Sequence, residues 1–143
     1  IMSTMVFANF PVQDLKKATA FYEKLGFTQN KEFSDEHASG MVWDDNFWVM
    51  LLTPEFYQRF IGDRQIIDPH KMSGALVAFS LPSAEAVRQF AQAAQDNGGS
   101  YYLSKPNAEI PDDVMLGYEV VDLDGNILEP TWMATPSQAP EIS

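Results

Sequence analysis

Val121-Asp122-Leu123-Asp124-Gly125-Asn126-Ile127-Leu128-Glu129-Pro130 is the stretch on which the reading of this chain turns. Asp122 to Asn126 has the composition of a tight turn. Asp and Asn side chains bond to their own backbone there, and Gly supplies a positive φ. The turn delivers the chain into an apolar strand, Asn126–Trp132, whose partner across the hairpin is Met115–Val121. Glu129 is a carboxylate set among hydrophobes in that strand, which makes it the first candidate for a functional group.

Upstream, Lys105–Asp113 with Pro106 and Pro111 reads as a loop covering something, and Ser100–Ser104 as a strand. Ser83 caps a helix that turns Ala84, Val87, Phe90, Ala91 and Ala94 inward, and Asn97-Gly98-Gly99 closes it. Gly74–Leu81 is a further strand. The first half runs the same way. Met5–Val12 is a strand, and Asp14 caps a helix with Leu15, Ala18, Phe21, Tyr22 and Leu25 on one face, stopped by Gly26. Phe27–Phe33 and Ala38–Trp43 read as strands, Asp44-Asp45-Asn46 as a hairpin turn, and Phe47–Leu52 as a strand covered on both faces. Thr53-Pro54-Glu55 starts a short helix with Phe56, Tyr57 and Phe60 on its apolar side.

Val12, Asp14, Ala18, Phe21 and Leu25 recur at the same spacing as Leu81, Ser83, Val87, Phe90 and Ala94. Each half is therefore β-α-β-β-β, and a half of that size buries too little alone, so the two pack together. The expected organisation is one domain over residues 1–133. It has a first module (5–61), a polar linker (62–73), a second module (74–133) and a flexible tail (134–143).

With 9 Lys+Arg against 20 Asp+Glu the net charge is −11, a poor match to nucleic acid or anionic membranes and a better one to cationic ligands. Cys is absent, which removes disulfides, thiolate metal sites and cysteine nucleophiles. No apolar run is long enough to span a bilayer, and the first residues show no secretory signal, so a cytoplasmic location is expected.

The duplicated pattern resembles the vicinal-oxygen-chelate superfamily of glyoxalase, bleomycin-resistance and extradiol-dioxygenase proteins. The residues that carry the resemblance are Phe10-Pro11-Val12-Gln13-Asp14-Leu15 with Phe21-Tyr22 and Leu25-Gly26-Phe27, together with Asp122-Leu123-Asp124-Gly125-Asn126-Ile127-Leu128-Glu129. It implies an α+β fold of two tandem β-α-β-β-β modules, forming cup-shaped mixed sheets with helices on the outer face. It also implies four strand positions that hold a divalent ion in the metal-dependent members. Placed by strand position, these fall on Phe7, Leu51, Leu76 and Glu129. One carboxylate does not make a metal site, so neither metal nor cofactor is expected.

Strand alternation assigns Phe7 and Asn9, Val49, Leu51 and Thr53, Leu76, Ala78 and Ser80, and Ile127, Glu129, Thr131 and Met133 to the cup. Trp48 and Trp132 are assigned to the helix side. Expected ligand-binding residues are Phe7, Asn9, Leu51, Leu76, Tyr118, Glu129 and Thr131, with Glu129 as anchor or general base and Tyr118 as a phenol donor. The competing readings are a vestigial ligand position for Glu129, a structural amide for Asn9 and simple packing for Tyr118. His37 and His70 read as surface histidines, which leaves no Ser-His-Asp array. The expected function is metal-free binding of a small apolar or aromatic molecule by a homodimer. The alternative is a lyase or isomerase of the glyoxalase type with Glu129 as base, and whether the chain is an enzyme stays open.

Overall fold

The computed structural model describes residues 3–134; the expected tail, residues 134–143, lies outside them except for Ala134. Two sheets organise the chain. The first contains β1 (Val6–Pro11), β2 (Thr28–Asn30), β3 (Ala38–Val42) and β4 (Phe47–Leu52), in the order β1-β4-β3-β2. The second contains β5 (Leu76–Ser80), β6 (Ser100–Tyr102), β7 (Met115–Gly117), β8 (Glu119–Val121) and β9 (Ile127–Met133). Its order is β5-β9-β8-β6, with β7 also paired to β9. In both sheets the first strand runs parallel to the last and the others antiparallel. The α+β fold of two β-α-β-β-β modules is thus what the chain adopts.

Helices α1 (Leu15–Leu25) and α3 (Ala84–Asp96) each cover one face of their own sheet and touch one another. Asp14 Oδ1 accepts from the Lys17 amide at 3.0 Å and starts α1. Gly26 ends it at φ 114°, a left-handed conformation that suits glycine. Ser83 does for α3 what Asp14 does for α1. The helix-facing sides of both sheets share one core: Phe10, Val12, Phe21, Tyr22, Met41, Val49 and Leu51 from the first half, and Leu81, Val87, Phe90, Leu116, Val120 and Leu128 from the second. Trp43 and Phe47 meet Phe79 at ring separations of 5.5 and 5.0 Å across the boundary.

The hairpin tip fastens the halves. Asp122, 4 % exposed, accepts at Oδ1 from the amides of Asp124 and Asn126, both at 2.9 Å. Its Oδ2 accepts from Asn126 Nδ2 at 3.0 Å and from the Tyr22 hydroxyl of α1 at 2.8 Å. Asp124 Oδ1 adds the Gln13 amide at 2.9 Å. Gly125, at φ 95°, lets the tip lie against the linker; a Cβ there would sit 2.7 Å from the His70 amide nitrogen. Burial pushes the Asp122 carboxyl up against these four donors, and burial with Asp122 beside it lifts the Tyr22 phenol well above its ordinary value.

Three expected elements differ. Residues 31–33 form a 3-10 turn rather than the end of a strand, because Asn30 caps the amides of Glu32 and Phe33. The expected strand Met115–Val121 breaks at Tyr118 into β7 and β8. The expected loop at Lys105–Asp113 opens with a short helix, α4 (Lys105–Ala108), started by Ser104 and Pro106. A further helix, α2 (Pro54–Ile61), follows β4 as read, with Thr53 as its cap.

Asp122→Ala leaves a phenol and an amide buried without their acceptor. Equilibrium urea unfolding is expected to show a loss of about 3 kcal/mol or more, and Tyr22→Phe a loss of about 1–2 kcal/mol. An Asp122→Ala loss below about 1 kcal/mol would contradict this account of the clamp.

Candidate functional site

Each sheet has a second face that carries no large helix. On the first sheet the register Phe7↔Trp48, Asn9↔Met50 places Phe7, Asn9, Trp48, Met50 and Leu52 there. Leu51 is on the other side, fully buried in the core and paired with Phe10 and Ser39 on the flanking strands. The expected cup position Leu51 is therefore corrected to its neighbour Met50, and Trp48 moves from the helix side to the open face. The parity along β4 was one residue out, and a slip of one turns every side chain over. Trp48 packs edge-to-face with Phe7 at 5.5 Å and with Phe33 at 5.6 Å. Phe7 and Phe33 remain 47 % and 60 % exposed, so the open face presents an aromatic row.

On the second sheet the register Ala78↔Glu129, Ser80↔Thr131 puts Leu76, Ala78, Ser80, Ile127, Glu129, Thr131 and Met133 together. Tyr118 is not among them. Its ring packs on Tyr101 at 5.1 Å, on the helix side with the core, so the expected phenol donor is a packing residue. Thr131 is buried, its hydroxyl turned to the Glu129 carbonyl at 3.2 Å.

Opposite Glu129 stands a second carboxylate, Glu119, which sequence reading missed. It is 3 % exposed. Ser104 N donates to its Oε2 at 3.1 Å. The Asn107 amide, carried on α4, donates to Glu119 Oε1, Glu129 Oε2 and the Gly117 carbonyl, each at 3.2 Å. Two amide hydrogens thus serve three acceptors, and the pair is undersupplied with donors. Gly117 makes the arrangement possible, since a Cβ there would press on Thr131 Oγ1 at 3.0 Å and Asn107 Nδ2 at 3.3 Å. Burial first, then the Glu129 carboxylate beside it, raise Glu119 to about 7 against the opposing Ser104 amide. The signal was present in the hairpin: Val121 pairs with Ile127 and Val120 with Leu128, so Glu119 must face Glu129. Asn107, in an irregular segment, gave no such signal.

A metal of the kind the resemblance implies does not fit these positions. Phe7 and Leu76 supply no donor, and Met50 offers only a soft thioether sulfur, a poor partner for a hard divalent ion. Among the described residues no three His, Cys, Asp or Glu side chains come together as ligands. Asn9 is on the open face but its amide bonds to the Phe7 carbonyl at 3.0 Å. It lines a cavity of about 280 Å³ between α2, the linker and the hairpin tip, which Glu129 does not line. Within one chain, Asn9 and Glu129 therefore serve different places. His37 stacks on Phe56 at 5.9 Å, away from both.

Residues 4–42 match the family described as bleomycin resistance protein-like N-terminal. No curated protein sequence matches the chain significantly. Among solved structures, a glyoxalase-related enzyme from Fulvimarina pelagi is 17 % identical, with a TM-score of 0.69 over 91 % of this chain and 88 % of that one. The hypothetical protein SA1046 from S. aureus is 21 % identical, with a TM-score of 0.67 over 92 % and 94 %. A bleomycin-binding protein solved with bleomycin is 17 % identical, with a TM-score of 0.60 over 92 % and 100 %. The fold is that of the glyoxalase/bleomycin-resistance/dioxygenase proteins. Among the described residues no helix is long and apolar enough to cross a membrane.

The raised Glu119 sets the sign of a pH dependence. The folded protein holds a proton that the unfolded chain has already lost, so stability falls as pH rises from about 4.5 to about 7. Glu119→Gln, whose amide stands in for the protonated acid, should remove that decline and add on the order of 1–3 kcal/mol at pH 8. A parallel decline in the variant, followed by urea unfolding across pH, would assign the slope to other groups.

Proposed function

We propose that this protein binds a small, flat, apolar or aromatic molecule carrying a positive charge, in a cup closed by two copies of the chain, without a metal. The single observation that carries the reading is the pairing of an exposed aromatic row with a half-buried acid pair. Phe7, Trp48 and Phe33 line one open face, and Glu119 with Glu129 sits on the equivalent face of the other sheet. Flat rings and a carboxylate are complementary to an aromatic cation, through stacking and charge. The bleomycin-binding protein among the structural neighbours, solved with bleomycin, supports a small-molecule-binding reading.

The homodimer in this reading is supported by the apolar surface one chain leaves bare. Phe7, Leu76, Tyr102, Leu103, Val114 and Met133 are each between 44 % and 57 % exposed, more than a self-contained monomer usually displays. In this reading residues 5–61 and 74–133 are duplicated modules joined by 62–73, and each cup takes one module from each copy. Phe7, Asn9, Leu76, Glu129 and Thr131 stay on its ligand-facing side, and Glu119, Trp48 and Met50 join them. The protein is placed in the cytoplasm, where a cysteine-free chain needs no oxidising compartment.

A second reading, a lyase or isomerase of the glyoxalase type, is favoured by one observation. A carboxyl raised to about 7 beside a second carboxylate is suited to moving a proton near neutrality. Glu129 is then the base and Glu119 its proton-sharing partner.

Light scattering after gel filtration should give twice the chain mass. A planar aromatic cation such as acriflavine should raise the melting temperature, with affinity about tenfold weaker in Glu129→Gln. A monomer, or equal affinity in the variant, would overturn the cup reading. Turnover of a hemithioacetal that vanishes in Glu129→Gln would favour the second.

A further inference from the structure

The linker is more than a connection. Gln58 Nε2 donates to the carbonyls of Gly62 and Arg64 at 3.0 and 2.8 Å, which fixes the turn after α2. Asp68 then organises the next turn, its carboxylate accepting from the His70 amide at 3.0 Å and its carbonyl from Lys71 and Met72 at 2.9 and 2.8 Å. Gly125 of the hairpin tip presses on Pro69 and His70. A segment held at three points is a wall, and behind it lies the cavity of about 280 Å³.

The chemistry of that cavity is the reverse of the chain's. Ile61, Ile66, Ile67, Met72 and Ile127 make its apolar body. In a protein of net charge −11, Arg64 is the single charged residue among the described residues that line it. The adjoining hollow, about 490 Å³, is lined by Asp68, Asp124 and His70 and shares Pro11, Ile66, Ile67 and Pro69 with the first. Its carboxylates are engaged by backbone amides: Asp68 by His70 and Asp124 by Gln13. Arg64 lines the cavity with its carbonyl held by Gln58 Nε2 at 2.8 Å; the residue is exposed, and its guanidinium makes one long contact, Nη1 to the Ile61 carbonyl at 3.5 Å. A guanidinium so placed, above an apolar chamber, matches a carboxylate through paired N–H donors.

We propose that this cavity is a second small-molecule site, distinct from the acid pair, for a monocarboxylate with an aromatic or branched aliphatic body. The carboxylate meets Arg64 and the body fills the space between Ile61, Ile67 and Met72. The site lies within one chain and does not depend on the cup. The two sites prefer opposite charges, so their tests fail independently.

Isothermal titration of the full chain with phenylacetate and with its neutral analogue phenylacetamide is the test. Phenylacetate should bind at least fivefold more tightly than the amide. Arg64→Gln should erase that preference, and Met72→Trp, an exposed position filled with a larger ring, should abolish binding of both. Both substitutions fall on exposed side chains, so folding, checked by circular dichroism, is expected to survive. Absence of phenylacetate binding, equal affinity for the amide, or unchanged binding in Arg64→Gln or in Met72→Trp would each overturn the proposal.

Discussion

The carboxylate of Asp122 is the constraint on which the two halves depend. A buried charge of this kind is tolerated only when its lone pairs are filled. Two of the four donors come from the hairpin backbone, one from the side chain of Asn126, and one from Tyr22 on the helix of the other module. The first three shape the turn and the fourth spans the halves. In the first hairpin Val42 pairs with Trp48 as Val121 does with Ile127, so Trp43 stands where Asp122 does; the turn there is shaped by Asp44, one residue on, whose Oδ1 accepts from the amides of Asn46 and Phe47. The duplication therefore repeats the turn but elaborates one copy of it into a fastening. That asymmetry gives the tip its place against the linker and leaves the cavity behind Ile66 and Ile67.

The same duplication lets the open faces diverge. Equivalent strand positions carry Phe7 and Leu76, Trp48 and Ile127, Met50 and Glu129. The open face is thus aromatic in one module and acidic in the other. The core side has no such freedom, since Val49, Leu51, Val120 and Leu128 are all at most 1 % exposed and sit in one shared cluster. Packing holds one side of each sheet close to a single solution, and chemistry varies on the other.

What could be read from the residues divides along that line. Helix starts at Asp14, Thr53 and Ser83 were legible because each cap is a local bond three residues long. The module order followed from the repeated spacing. Glu129, Phe7, Leu76, Asn9 and Thr131 were assigned to the open faces they occupy, because alternation along a single strand is local too. Leu51 and Tyr118 were not: each depended on pairing between strands or on a break in a strand, at β4 and at Tyr118. Glu119 was within reach of hairpin arithmetic, which fixes it across from Glu129. Asn107 and the linker wall depend on tertiary contacts with Gly117 and Gly125, and no periodicity announces those.

The acid pair gives the open face of the second sheet a property neither residue would have alone. Near pH 7 Glu119 is poised between its two states. Burial and the Glu129 carboxylate beside it keep the proton on Glu119 up to that range. A cation placed against it favours the ionised form and drives the proton out. A neutral ligand with an acceptor atom instead finds an O–H ready to donate. The charge the pair presents thus depends on what lies against it, while Asn107 and Ser104 hold it beneath α4. A single carboxylate on the same strand would be fixed as an anion at this pH. The burial and the neighbouring Glu129 carboxylate that make Glu119 costly to ionise are what make the face adaptable.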